Sequence, residues 1–370
     1  MTYRTSPPFR AEHVGSLLRP AELLEARDAN SRGELSAQRL RGVEDHCIRE
    51  IVSDQEKIGF KAVTDGEFRR TYFHIDFLER LEGVTVKGGI PVKFRGAQGE
   101  VDFAPPRLEV TGKLRHVGGI QTADFTFLKG TTTRVTKVCI PSPTMVHFRG
   151  GRAAIDTEAY PDLDEFFDDL AQCYRDEIAA LAAVGCRYVQ LDDTNLAYLC
   201  DDTMRQGALQ RGDDPRELPR TYAKLINDSI RGRPADMTIG IHLCRGNFQS
   251  AWVAEGGYDP VAEILFNEID VDGFFLEYDD HRSGSFEPLR FVPRNKIVVL
   301  GLLTSKVGDL EPKDELKHRI DDATQYLDLE QICLSPQCGF SSTVHGNRVT
   351  QQDQDAKLKL VVETAAEVWG

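Results

Sequence analysis

Eight short apolar segments ending in polar side chains, with helical patterns between nearly all of them, restrict this chain to few architectures. They read HVGS, AVTDGE, KVCIPSP, YVQLDD, IGIHLC, GFFLEYDD, IVVLGLLTS and ICLSPQCG. Strands buried on both faces of a parallel sheet read as near-continuous apolar runs, as these do. Helices are predicted over residues 20–59, broken at Ser31-Arg32-Gly33, and in DLDEFFDDLAQCYRDEIAALAAVG, 215–233, YDPVAEILFNEI, EPKDELKHRIDDATQYL and VTQQDQDAKLKLVVETAAEVWG. A further helical piece is expected in RRTYFHIDFLERLEGV. Eight strand–helix units predict an α/β chain folded as a (β/α)8 TIM barrel, a design of about 250 residues before insertions. A doubly wound open sheet is disfavoured, because no Gly-rich dinucleotide loop follows the first strand.

Residues 83–136 break the rhythm. VTVKGGIPVKFRG, RLEVTGKLRHVGG and ADFTFLKGTTTRVTK alternate apolar and polar residues between Gly-rich turns, which predicts antiparallel hairpins. The stretch is short and flanked by barrel-type elements. It therefore reads as a β-rich insertion within a single domain spanning residues 1–370.

Charge and hydropathy narrow the partners. A net charge of −14 opposes general nucleic-acid binding. No stretch approaches 18 uninterrupted apolar residues, so no membrane span is predicted. The N-terminus, MTYRTSPPFRAEHVGS, lacks the apolar core of a signal peptide, and a cytoplasmic protein is expected. The eight cysteines are scattered without a CxxC pair, so neither a disulfide framework nor a zinc ribbon fits. A homo-oligomer is compatible with the sequence.

In a barrel, chemistry gathers at the carboxyl ends of the strands. Residues 239–247 read IGIHLCRGN, and residues two apart on a strand point the same way. His242 and Cys244 would project together from strand five. Glu277 ends strand six and Cys338 ends strand eight, facing the same mouth. Two thiolates, one imidazole and one carboxylate form a complete ligand set for zinc (Zn2+). A substrate thiol that coordinates such an ion is deprotonated and becomes a nucleophile. The expected chemistry is therefore S-alkylation rather than hydrolysis. Glu67 and Asp192 could hold an ammonium group, and Ser16 with its backbone N–H a carboxylate. Together they describe a pocket for a small-molecule thiol amino acid.

The segments HVGSLLRP, TDGEF, VQLDD, IHLCRGN, the Glu of FFLEYDD and SPQCGF resemble, in family order, the C-terminal catalytic barrel of the cobalamin-independent methionine synthases. The resemblance runs from about His13 to the C-terminus. It implies zinc-dependent methyl transfer from a methyltetrahydrofolate polyglutamate to homocysteine, a step of methionine biosynthesis. It also implies zinc ligands at His242, Cys244, Glu277 and Cys338 and homocysteine contacts at Ser16, Glu67 and Asp192.

The chain departs from that pattern in two places. Full-length members carry an additional N-terminal barrel for which these 370 residues leave no room, so the methyl donor, folate or another, stays open. Their Asp-Ile-His-Ser-Pro loop after strand seven, whose His is thought to serve as acid, is TSKVGDLEP here. Lys306 stands nearby, and no catalytic acid is assigned. The short branch of the family is also similar to epoxyalkane:coenzyme M transferases. A thiol sulfonate would want a basic pocket, for which Arg19, Arg69 and Arg245 are candidates. A non-catalytic barrel with structural zinc is a third reading.

Overall fold

Helices and parallel strands alternate along most of the computed structural model, which describes residues 4–89, 92–96 and 99–370. Helix α1 spans Ala21–Ser31 and α2 Ala37–Ile58, separated by the predicted break. The Ser36 hydroxyl accepts from Arg39 N to open α2, and Gly59 closes it at φ 114°. Strand β1 is Ala62–Val63 and α3 is Ile75–Leu78. Four antiparallel strands follow: β2 Glu82–Lys87, β3 Val92–Gly96, β4 Gly99–Phe103 and β5 Arg107–Arg115. β2 pairs with β5 and β3 with β4.

Then come α4 Thr122–Lys129, β6 Val135–Thr136 and β7 Val138–Pro141. Helix α5, Leu163–Ala183, is capped by the Asp162 carboxylate on Asp164 N. It buries Phe166, Leu170, Cys173, Tyr174, Glu177, Ile178 and Leu181 on one stripe. Further on are β8 Tyr188–Asp193, α6 Asn195–Tyr198, α7 Asp202–Gln210, α8 Leu218–Ile230, β9 Thr238–Leu243 and α9 Ala262–Glu268. The chain ends with β10 Gly273–Glu277, β11 Ile297–Leu303, α10 Lys313–Ala323, β12 Ile332–Pro336 and α11 Gln351–Trp369.

β7 to β12 form one six-stranded parallel sheet in chain order. Every residue of β8, β10, β11 and β12 is buried, which is why they read as apolar runs. β1 and β6 form a second, two-stranded parallel sheet, and Lys137 N donates to Val63 O at 2.9 Å. The segment before α1 reaches both sheets. Ala11 bridges Leu334 in parallel, Leu17 N donates to Gly66 O at 3.1 Å, and Thr64 Oγ1 donates to Gly15 O at 2.6 Å. The register sets Asp192 beside His242 and Leu243 beside Leu276, so the strands' carboxyl ends lie level.

Buried among these elements is a polar knot. Lys137 Nζ lies 3.3 Å from Glu12 Oε2, with both side chains fully buried. It also donates to Gln190 Oε1 at 3.2 Å and to the His13 carbonyl. Tyr188 OH donates to Glu12 Oε1 at 3.1 Å.

Three expectations are corrected. ADFTFLKG is helix α4 and not part of a hairpin. Its Phe125 and Leu128, three apart, face the core, while Phe125 and Phe127 give the false period of two. Only four residues of RRTYFHIDFLERLEGV are α-helical. Val135 and Thr136, placed in the insertion, pair in parallel with β1. HVGS forms no ladder of its own; its Gly15 carbonyl accepts from Thr64 Oγ1, and the flanking Ala11 and Leu17 make the backbone contacts given above. No helix among the described residues is long and apolar enough to cross a membrane.

Candidate metal and substrate site

Strand β9 carries His242 at its carboxyl end, and Cys244 follows two residues on, so both side chains leave the same face. The loop after β12 brings Cys338 against them. Its Sγ is 3.3 Å from Cys244 Sγ, and the ligating atoms of His242, Cys244 and Cys338 all lie within 4.8 Å of one another. All three residues are buried. Among the described residues, neither ring nitrogen of His242 has a hydrogen-bond partner. The hydrogen bond between the thiols holds Cys338 well below the ordinary thiol range, with His242 adding to the effect. The same bond raises Cys244.

Glu277 does not fall within that 4.8 Å group. It is fully buried at the end of β10; among the described residues neither carboxylate oxygen has a hydrogen-bond partner, and Arg245 Nη1 lies 4.0 Å from Oε2. Burial pushes its carboxyl up, and Lys306 opposes this. Lys306 Nζ is buried without a hydrogen bond, 3.9 Å from Asp279 Oδ2.

A cleft of about 700 Å³, its open mouth included, runs over this group. Ser16, Glu67 and Asp192 line it together with His242, Cys244 and Cys338. Glu67 has φ 58°, a left-handed conformation uncommon outside glycine and often found at functional sites. Its carboxylate pairs with Arg70, which also donates to Ser342 O at 2.8 Å. Glu67, Cys139 and Asp192 offer ligating atoms within 4.8 Å of one another. Asp192 accepts from Gln190 Nε2 at 2.7 Å, and burial followed by the Glu67 charge pushes its pKa up to about 7. Asp193 is structural: it accepts from Thr144 Oγ1 at 2.6 Å and Leu196 N at 2.8 Å.

The basic pocket sought in Arg19, Arg69 and Arg245 does not form. Arg19 donates to Ser341 Oγ at 2.7 Å and to the Glu67 and Arg70 carbonyls. Arg69 turns to Asp45 at 2.5 Å. Arg245 is fully buried against Tyr258 OH at 2.9 Å and Gly256 O at 2.7 Å. None of the three lines the cleft.

Residues 9–367 match the family described as the catalytic domain of the cobalamin-independent synthases. The chain belongs to this family. YxjH of Bacillus subtilis (strain 168), described only as uncharacterized, is 47% identical over 98% of this chain and 95% of its own length. The methionine synthase of Pyrococcus furiosus is 24% identical over 88% of this chain and 85% of its own. A Listeria monocytogenes structure, provisionally described as a vitamin-B12-independent methionine synthase, has a TM-score of 0.77 at 37% identity, covering 99% of this chain and 100% of that one. A B12-independent methionine synthase from Shewanella sp. W3-18-1, in complex with selenomethionine, shares the fold at TM-score 0.74 and 20% identity, with 97% of each chain covered.

Several cleft residues of this cobalamin-independent synthase domain carry no local sequence signal. Phe94 of β3 and Phe103 of β4 reach over the cleft, and Phe103 stacks on Phe248 with centroids 3.9 Å apart. Arg95 and Trp252 exchange backbone hydrogen bonds of 2.6 and 2.7 Å, clipping this hairpin to the loop after β9. Strands β3 and β4 thus supply an aromatic wall of the cleft. His74 and Arg149 also line the cleft.

Asn247 Nδ2 donates to Gly339 O at 2.9 Å and Ser342 Oγ at 3.1 Å, tying the loop of Cys244 to the loop of Cys338. Asn247→Ala is expected to cost about 0.5–1.5 kcal/mol in a urea unfolding series, because the loop tie is lost while the Gly339 carbonyl still accepts from Ser305 Oγ at 3.2 Å.

Proposed function

We propose that this cobalamin-independent synthase domain is a zinc-dependent methyltransferase that methylates the thiol of homocysteine. The observation that carries the reading is the convergence of His242, Cys244 and Cys338 beneath a cleft also lined by Ser16, Glu67 and Asp192. The same proposal includes closure of the eight strand segments into a (β/α)8 barrel, with the antiparallel strands β2 to β5 as an insertion in a single domain. The hydrogen bonds from the 11–17 segment to β12 and to the residues after β1 support that closure.

The residues fit the ion. Buried polar groups are normally hydrogen-bonded, yet among the described residues both nitrogens of His242 and both oxygens of Glu277 lack hydrogen-bond partners, Arg245 Nη1 standing 4.0 Å from Glu277 Oε2. His242, Cys244 and Cys338 would hold zinc, with Glu277 as the fourth ligand. Bound there, the ion would supply the charge that lets a substrate thiol lose its proton near neutral pH. Glu67 and Asp192 accept the ammonium group of the amino acid, and Ser16 takes its carboxylate. Phe94, Phe103 and Phe248 exclude water from the thiol. An ammonium-bearing thiol suits two carboxylates better than a sulfonate thiol does.

Because the folded pKa of Asp192 is about 7, above the ordinary 3.8, the folded chain holds a proton that the unfolded chain has lost between those values. This group's contribution to stability is therefore present below about pH 4 and is lost as pH rises through about 7. Ammonium recognition runs the other way, since the protonated acid offers no charge. Homocysteine affinity, measured calorimetrically, is expected to rise with pH through about 7 more steeply than release of the thiol proton alone would give. Asp192→Asn should remove the added rise near pH 7, leave the part due to the thiol proton, and weaken binding by roughly tenfold or more. A flat wild-type profile would count against the ammonium assignment. Coenzyme M serves as the comparison thiol, and tighter binding of it than of homocysteine would reverse the choice of acceptor.

A further inference from the structure

The cleft opens sideways. His74 and Arg149 line both it and a neighbouring pocket, whose other walls include Arg107, Leu108 and Arg211. This pocket is basic in a chain of net charge −14. Its one acidic lining residue, Glu109, is engaged by Arg107 at 2.7 Å. Among the described residues, no hydrogen bond or ion pair engages Arg149. Arg211 leaves Nε and Nη2 buried without hydrogen-bond partners, and its Asp213 contact is 3.9 Å long. His74 Nδ1 is likewise buried and unpartnered. Guanidinium groups without acceptors are costly where they are buried, as at Arg211, and a ligand anion would satisfy them; His74, held neutral by burial, adds a polar atom but no charge. Planar guanidinium groups suit carboxylate and phosphate oxygens in particular.

We infer that the pocket bounded by Arg107, Arg149 and Arg211 is an anion subsite. It receives a carboxylate or phosphate group of the alkyl donor, whose reacting carbon lies in the adjoining cleft. The donor half of this inference rests on the cleft being the transfer site; the pocket's affinity for anions does not. Arg149, on the shared wall, orients the donor between the two.

The test is calorimetry on the full chain with glutarate and inorganic phosphate as separate probes and homocysteine as a third ligand. Saturable binding of at least one anion is expected, with glutarate and phosphate distinguishing a carboxylate from a phosphate tail. Arg149→Gln and Arg107→Gln should each weaken that anion by roughly ten- to a hundredfold. Arg107→Gln should leave homocysteine binding unchanged. No saturable binding of either anion, or equal binding by wild type and both variants, overturns the subsite. Loss of homocysteine binding in Arg149→Gln would overturn the donor assignment, because Arg149 would then serve the thiol substrate. Anion binding that depends on the arginines in a chain that binds no homocysteine would support the subsite and reject the transfer reading instead.

Discussion

Cys338→Ser is expected to abolish both stable zinc binding and thiol methylation. The hydroxyl keeps the shape of the side chain but is not a soft anionic ligand, and Cys244 loses the sulfur 3.3 Å away. Loss of an outer-shell partner alone typically reduces metal affinity or activity by about 10–100-fold, so loss of a ligand should exceed that range. Metal analysis after dialysis would read well below one equivalent, and methyl transfer would fall by more than about a hundredfold. Cys333→Ser is the control. Cys333 is also buried, but it sits inside β12 near Pro8 O at 3.8 Å, away from the cleft. It should retain zinc. Full zinc and full activity in Cys338→Ser would remove the site from consideration.

Lys137→Met is expected to cost the largest amount of stability among single changes remote from the thiols. Removing one member of a buried ion pair leaves the other charge without compensation, at about 3–5 kcal/mol. Glu12 would keep only the Phe9 N–H at 2.9 Å and the Tyr188 hydroxyl at 3.1 Å as donors. The His13 carbonyl and Gln190 Oε1 would also lose a donor. Urea unfolding should show the loss as a lower midpoint. The double change Lys137→Met with Glu12→Gln should recover a good part of it, because no uncompensated charge is then buried. A double variant as unstable as the sum of its parts would show that the pair is not the source.

Much of this architecture was legible because the chemistry was local. β8 to β12 are buried on both faces, so their apolar runs stood out, and the spacing of His242 and Cys244 fixed a shared direction. Cys338 joined them because its strand ends at the same level. The misread parts depended on contacts distant in sequence. Phe125 and Phe127 alternate like a strand, yet α4 packs Phe125 and Leu128 inward. Arg19, Arg69 and Arg245 looked like pocket cations, but each is occupied by carbonyls, carboxylates or Tyr258. Arg149 and His74 gave no motif, and only the folded chain sets them on one wall. The aromatic cover was hidden for the same reason. Phe103 and Phe248 are far apart in sequence, and their stacking follows from the Arg95–Trp252 clip.

The most direct test of the thiol-activating site is zinc-edge X-ray absorption of the full chain with and without homocysteine. The expected result is zinc bound by the Cys244 and Cys338 sulfurs at about 2.3 Å, with one additional sulfur entering the shell when homocysteine is added. A sulfur shell that stays unchanged while homocysteine binds would contradict it.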